Sequence, residues 1–330
     1  MSEKIVLIST GGTIASRTPS SGGGAVNVDA GASLLQQAFA GPNACPCAIE
    51  FIDLLHKPSF QFTSQDILDL ALAIRSSVSR PDVNGVVITH GTDTMEESCF
   101  LADMLLDTSK PVVFTGAQLA ADNPQPDGPR NLRDAIYAAV SGNLRKSGAV
   151  ICFDGEIHAA RYVTKTHASA LGAFTSPSAG PIAHVDNESV RCGWSRPPHK
   201  ALSLPERLPH VALLRLVVGI ERETLDAIRV ARPVAIVVEA FGRGNGPIGL
   251  ADWIDECTGS GIPVILTTRC LAGRVHPLYG GGSGGADLAQ AGAIFAGDLS
   301  GPKARLLAMC VLGAGKGLDH LRREIDALVH

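Results

Sequence analysis

Short apolar runs alternate with helix-length segments along most of this chain, and that alternation points to an α/β architecture built on parallel strands. The runs Lys4–Ser9, Gly85–His90, Pro111–Thr115 and Gly148–Phe153 read as buried strands. Between them, Ser64–Ser79, Thr94–Leu106 and Pro129–Lys146 read as helices. In the first of these, Ile67, Leu68, Leu70, Ala71, Leu72 and Ile74 recur at helical spacing and define a buried face. The pattern breaks between Arg191 and Pro209, where Pro197, Pro198, Pro205 and Pro209 suggest an interdomain linker. A second block follows, with strands expected at Val211–Leu216, Ala235–Glu239 and Val264–Thr268. Its expected helices are Arg222–Arg229, Leu250–Ser260, Gly301–Leu312 and Leu318–Leu328. A chain of 330 residues favours two domains over one. The expected division is a domain over 1–190, a linker over 191–209 and a domain over 210–330.

Charge and composition narrow the function classes. A net charge of −4 leaves no basic footprint for nucleic acid or an anionic membrane. No apolar run approaches the roughly 20 residues that cross a bilayer. The run Ile5–Ile8 is too short for a signal-peptide core, so a cytoplasmic location is expected. Eight cysteines are scattered, and Cys45-Pro46-Cys47 has no second matching pair, so reduced thiols are favoured over disulfides or zinc. The ten histidines include no H-E-x-x-H, and neither a metal nor a cofactor is implied.

Two Gly-rich turns that carry threonine each follow an apolar strand. The first is Ser9-Thr10-Gly11-Gly12-Thr13-Ile14-Ala15 and the second is Thr89-His90-Gly91-Thr92-Asp93-Thr94-Met95-Glu96-Glu97. A tight strand-to-helix turn accounts for the glycines of the first, and no Walker lysine or G-x-G-x-x-G makes it a phosphate loop. The second also starts a helix, with Asp93 or Thr92 as candidate caps. A hydroxyl nucleophile needs a turn that exposes it and a base that takes its proton. Two such turns at the ends of parallel strands supply two hydroxyls to one crevice. A lysine serves as the base if its surroundings keep it neutral, since its free pKa is about 10.4. Tyr162-Val163-Thr164-Lys165-Thr166 offers one in an apolar, threonine-lined setting.

These blocks resemble the bacterial-type asparaginase and glutaminase family, and Thr13, Thr92, Asp93 and Lys165 fall on its catalytic positions. The blocks Lys110-Pro111-Val112-Val113-Phe114-Thr115-Gly116-Ala117, Asp127-Gly128-Pro129-Arg130-Asn131-Leu132 and Ser176-Pro177 are similar too. So are Gly242-Arg243-Gly244-Asn245-Gly246 and Gly301-Pro302-Lys303-Ala304-Arg305, so the resemblance runs in order over nearly the whole chain. It implies a cofactor-free amidohydrolase with a larger N-terminal domain, whose mostly parallel sheet is flanked by helices, and a smaller C-terminal α/β domain. It also implies a homotetramer of intimate dimers in which each site is closed by a neighbour's C-terminal domain. The substrate would be a small-molecule amide, held by Ser59, Phe60, Gly91, Ala117, Asn245 and Tyr279.

The chain departs from the family pattern in three places. Ser16–Asn27, rich in Ser and Gly, reads as a mobile lid, yet it lacks the tyrosine that members usually carry there. Only Tyr137, Tyr162 and Tyr279 are present, and Tyr279, in the Gly-rich stretch Leu278–Gly282, is the candidate substitute from an adjacent subunit. Phe60 stands where many members have a polar residue that holds the substrate's amino acid head. An acid contributed by the neighbour is not evident in Val275-His276-Pro277-Leu278-Tyr279-Gly280. Hydrolysis of the side-chain amide of L-asparagine, with glutamine as a further candidate substrate, to the acid and ammonia through a threonine nucleophile is the expected reaction. Another small amide, or ligand binding without turnover, are the alternatives.

Overall fold

The computed structural model describes residues 3–18, 26–27, 31–40, 44–194 and 200–329. The chain divides into two compact units, Met1–Ala201 and Leu202–His330. Of the expected lid, residues 19–25 lie outside the described residues, as do Pro197 and Pro198 of the expected linker.

The first unit is built on strands β1 (Lys4–Ser9), β2 (Ser16–Arg17), β3 (Val26–Asn27), β4 (Ala48–Asp53), β5 (Gly85–Thr89) and β6 (Val112–Thr115). They are followed by β7 (Ala149–Phe153), β8 (Glu156–Ala159), β9 (Thr164–Lys165), β10 (Phe174–Thr175), β11 (Ala183–Asp186) and β12 (Ser189–Cys192). Its helices are α1 (Gly31–Ala38), α2 (Ser64–Ser79), α3 (Met95–Leu105) and α4 (Gly128–Val140). Eight strands form one sheet in the order β12-β11-β8-β7-β6-β5-β1-β4. The run from β7 to β4 is parallel, and the other three strands add antiparallel. The pairs β2–β3 and β9–β10 stand apart as short antiparallel ribbons.

The central strands were legible because both of their faces are covered, which makes them continuous apolar runs. Every residue of β5 and β6 is buried, as is every residue of β1 after Lys4. The helices α2 and α3 match their expected spans to within a residue at each end. The helix expected over Pro129–Lys146 instead stops at Val140, and a 3-10 turn over Gly142–Leu144 follows, with the Ser141 hydroxyl accepting from Asn143 N. Edge strand β4 escapes the sequence pattern because it is only half buried, so it lacks an apolar run.

Side-chain alternation along β1 and β5 explains where a site can form. Ile5 and Leu7 point to the face that carries Leu34 and Ala38 of α1 and Leu132 and Ile136 of α4. Val6 and Ile8 point to the opposite face, with Leu70 and Ile74 of α2 and Met95 and Cys99 of α3. After β1 the chain therefore leaves toward one face through α1. After the neighbouring β5 it leaves toward the other through α3. Adjacent parallel strands whose connections diverge open a crevice at their carboxyl ends, the switch point where α/β sheets bind ligands. Registers Ser9↔Thr89 and Thr89↔Thr115 bring the three following turns to one level.

The second unit has its own four-stranded parallel sheet of β13 (Val211–Arg215), β14 (Ala235–Ala240), β15 (Val264–Thr268) and β16 (Ile294–Phe295), in that order. Helices α5 (Arg222–Val230), α6 (Leu250–Gly259), α7 (Gly285–Gln290), α8 (Gly301–Gly313) and α9 (Leu318–Val329) flank it. Its core gathers Leu214, Leu225, Val238, Trp253, Ile254 and Leu266. No helix among the described residues is long and apolar enough to cross a membrane.

The two threonine turns meet through glycine. Gly12 adopts φ 88°, a region costly for any residue with a Cβ. A Cβ there would stand 2.5 Å from Gly91 Cα and from Gly91 N. Gly12→Ala is therefore expected to destabilise the first unit by at least about 2 kcal/mol, from backbone strain and a clash that backbone atoms cannot relieve. Urea unfolding of both proteins checks this, and an unchanged midpoint would contradict the close approach.

Candidate active site

A cleft of about 500 Å³ lies at the carboxyl ends of β1 and β5, lined among others by Gly12, Thr13, Ser59, Phe60, Gly91, Thr92 and Asp93. Thr13 opens the 3-10 turn Thr13–Ala15, which is closed by Ala15 N donating to Gly12 O at 3.0 Å and Ser16 Oγ donating to the same carbonyl at 2.8 Å. The Thr13 hydroxyl makes no hydrogen bond among the described residues, so it is free to face a ligand.

Across the cleft, Thr92 and Asp93 meet Lys165. Lys165 Nζ lies 2.9 Å from Thr92 Oγ1 and 2.9 Å from Asp93 Oδ1. The Lys165 side chain is 15% exposed against 53% for Asp93, so the amine is sheltered while its counter-charge stays in contact with water. The backbone of Lys165 is fixed as well, since its N–H donates to the Glu96 carboxylate in the first turn of α3. Asp93 and Thr92 were expected to cap that helix, and neither does. The N-cap is Thr94, whose hydroxyl instead donates to Ser59 O at 3.1 Å. The hydroxyl at the cap position is thus spent on the Ser59 turn, while Asp93 and Thr92, one and two positions outside the cap, meet the lysine.

Ser59 sits in a second 3-10 turn, Ser59–Gln61, directly before the Thr63–Asp66 capping box that starts α2. Its hydroxyl is buried with no hydrogen-bond partner. A buried hydroxyl left unpaired costs on the order of 1–3 kcal/mol, and here it belongs to a residue that lines the cleft. Phe60 on the same turn is 68% exposed. Gly91 has to be glycine, because a Cβ would lie 2.6 Å from Ser59 Oγ.

The remaining expected site residues are Ala117, Asn245 and Tyr279. Ala117 is fully buried in the α4-side core, which leaves only its main chain to reach a ligand. Asn245 and Tyr279 belong to the second unit. Asn245 Oδ1 accepts from Gly285 N at 3.1 Å, and Tyr279 is 58% exposed with its carbonyl accepting from Ala286 N at 2.8 Å. Sequence reasoning passed over Glu96 and Gln118, which touch Lys165 and Thr92 respectively. Glu96 carried a signal as an acid in a helix's first turn. Gln118 carried none beyond following the Thr115-Gly116-Ala117 block.

His90 supports the second turn from beneath. It is fully buried, with Nδ1 2.7 Å from Gly91 O and Nε2 2.9 Å from Ser98 Oγ. A carbonyl only accepts, so Nδ1 carries the proton and Nε2 accepts from the serine. Fixing Gly91 O on this side turns the Thr92 N–H of the same trans peptide the other way. Burial pushes the His90 pKa from 6.5 down to about 4. The unfolded chain thus binds this proton more readily, so the stability is complete above pH 6.5 and drains as pH falls toward 4. The loss expected from this residue is on the order of 3 kcal/mol. Urea midpoints measured between pH 4 and 7 should fall more steeply toward acid in the wild type than in His90→Gln. Equal slopes would show that His90 is not held neutral.

Known proteins carry the same two-part plan. Residues 4–198 match the family model "Asparaginase, N-terminal", and residues 210–324 match "Glutaminase/Asparaginase C-terminal domain". An L-asparaginase of Bacillus licheniformis is 31% identical over 316 residues, covering 96% of this chain and 97% of that protein. A probable L-asparaginase of Deinococcus radiodurans is 35% identical over 329 residues, covering 97% and 96%. The crystal structure of a probable cytoplasmic L-asparaginase from Campylobacter jejuni superposes with a TM-score of 0.84 at 26% identity, covering 98% of this chain and 99% of that one.

Proposed function

We propose that this chain, which belongs to the asparaginase family by the matches to both of its domains, hydrolyses the side-chain amide of L-asparagine to the acid and ammonia. The observation that carries the reading is Lys165 Nζ bridging Thr92 Oγ1 and Asp93 Oδ1 on the cleft that Thr13 also lines. Thr13 attacks the amide carbonyl, because its hydroxyl is the one not engaged by the protein. Thr92, Lys165 and Asp93 relay protons: they take the Thr13 hydroxyl proton as the ester forms, pass one to the amide nitrogen so that the C–N bond breaks and ammonia leaves, and then activate water against the acyl-enzyme ester. The Thr92 N–H, turned away from His90, is placed to stabilise the oxyanion, a role worth a few kcal/mol per donor in other hydrolases. Ser59 offers its unpaired hydroxyl to the substrate's carboxylate. Glutamine is accepted if the cleft takes one more methylene.

A second reading, an amidase for a different small amide, is favoured by Phe60, whose ring stands exposed at the cleft beside Ser59. Ammonia release from asparagine, glutamine, their D-forms and simple aliphatic amides decides between the two. Thr13→Ala, Thr92→Val and Lys165→Met should each lower turnover of the best substrate by at least about 100-fold, or some 2.7 kcal/mol of barrier, while the proteins stay folded. Full activity in either threonine variant would end the two-threonine scheme. An unaltered rate in Lys165→Met would make that lysine structural.

The active protein is a homo-oligomer, a tetramer or dimer, in which Asn245 and Tyr279 of one copy complete the site of another. The second unit exposes Val218 and Ile248 almost fully and Leu271 largely, apolar surface of the kind that subunit contacts cover. A cytoplasmic location accords with the name of the Campylobacter jejuni relative. Light scattering should report a dimer or tetramer whose activity falls on dilution. Tyr279→Phe should lower turnover at least about tenfold through loss of one phenol donor. A fully active monomer would sink the shared site.

A further inference from the structure

We propose that Gln118 is a positioning residue that fixes the hydroxyl of Thr92 for proton transfer, and that the Asp127-Gly128-Pro129-Arg130-Asn131 block serves to hold it there. The inference rests on the hydrolytic reading above and adds to it a residue outside the threonine–lysine–aspartate set.

The argument begins with hydrogen-bond inventory. Lys165 Nζ donates to Thr92 Oγ1 at 2.9 Å, which takes a lone pair of that oxygen and leaves the hydroxyl proton to point elsewhere. The acceptor in reach is Gln118 Oε1, 3.5 Å from Thr92 Oγ1. The orientation of that amide is not arbitrary. Gln118 Nε2 donates to Ala170 O at 3.1 Å, and the flipped amide would set carbonyl against carbonyl. The carbonyl end of Gln118 therefore faces Thr92. With its proton parked on the far side from Lys165, Thr92 presents a lone pair to the lysine and keeps one rotamer. A contact of 3.5 Å is longer than a strong hydroxyl bond. It directs the rotor without trapping it, and such catalytic hydrogen bonds commonly tighten in the substrate complex.

The support beneath Gln118 is dense. Its N–H and that of Leu119 both donate to the Asp127 carboxylate, each at 2.9 Å. Asp127 stands at the N-cap of α4 but makes no capping bond there, so its carboxylate serves the 118–119 turn instead. Asn131, one turn into α4 and 2% exposed, donates from Nδ2 to Gly116 O at 3.0 Å and to Asp127 Oδ2 at 3.2 Å. Its Oδ1 accepts from Asp154 N at 3.1 Å. A part-buried network of this kind, anchored on the buried Asn131, fixes a single geometry. Pro129 in the first helical turn has no N–H to satisfy, which leaves the acid free for the loop.

Two variants separate positioning from mere support. Gln118→Met keeps length and loses both the acceptor and the bond to Ala170. Gln118→Glu keeps an acceptor oxygen for Thr92 but loses the donor to Ala170, sets an oxygen against that carbonyl and adds a negative charge. With asparagine, kcat should fall about tenfold or more in Gln118→Met while KM stays within about twofold, and Gln118→Glu should recover at least half of that loss on a logarithmic scale. A wild-type kcat in Gln118→Met, or equal losses in both variants, would overturn the inference. High-resolution crystal structures give a readout that does not depend on turnover. Thr92 should turn away from Lys165 or occupy two rotamers in Gln118→Met, and a single unchanged rotamer would also overturn the inference. If the wild type releases no ammonia from asparagine, the functional reading fails, while the crystallographic comparison still decides the role of Gln118.

Discussion

Everything at the cleft depends on two backbones approaching each other where only glycine fits. Gly12 and Gly91 pass so closely that a single methyl on either would strike the opposing turn or the Ser59 side chain. That approach is possible because β1 and β5 are adjacent, parallel and in register at their carboxyl ends. It is open to solvent because the chain leaves the two strands toward opposite faces of the sheet. Thr13 and Thr92 follow those glycines directly, so the approach of the backbones delivers two hydroxyls to one space.

The second constraint is electrostatic. Lys165 is carried on β9, a two-residue strand outside the main sheet, and is sheltered from water by the groups it bonds. A sheltered amine needs polar partners nearby, or its burial is costly. Asp93 supplies the charge, Thr92 supplies an acceptor, and Glu96 anchors the backbone. Next to the lysine the start of α3 is left without a side-chain cap, because the Thr94 hydroxyl donates to Ser59 O. A structural preference has been given up at the place where chemistry is proposed, which is where such exceptions are expected.

Beneath the cleft, polar groups are satisfied in pairs that set orientation. His90 holds the Gly91 carbonyl, and Asp127 with Asn131 holds the turn after β6. Ser59 is the contrast, a buried hydroxyl with no partner inside the protein. Thr89 Oγ1 at the end of β5 is likewise buried without a partner, but Ser59 belongs to a residue that lines the cleft, where an unpaired hydroxyl suits a polar ligand.

The sequence alone determined the buried central strands, most of the longer helices and the chemistry-bearing turns. Buried parallel strands such as Val86–Ile88 are continuous apolar runs, and α2 shows its periodicity, because burial and helical spacing are local properties. Thr13, Thr92, Asp93 and Lys165 were legible as candidates because each lies in a turn or segment of recognisable composition. Only the tertiary structure decided what those residues touch. The pairing of Lys165 with Thr92 spans 73 positions, and that of Gln118 with Ala170 spans 52. Neither leaves a trace in local composition. Edge strand β4 was missed because half its residues face outward. The core burial of Ala117 and the uncapped start of α3 were hidden because they depend on which distant side chain competes for the same atoms. Periodicity reports the environment of a segment, whereas a hydrogen-bond partner is fixed only once the segments are packed together.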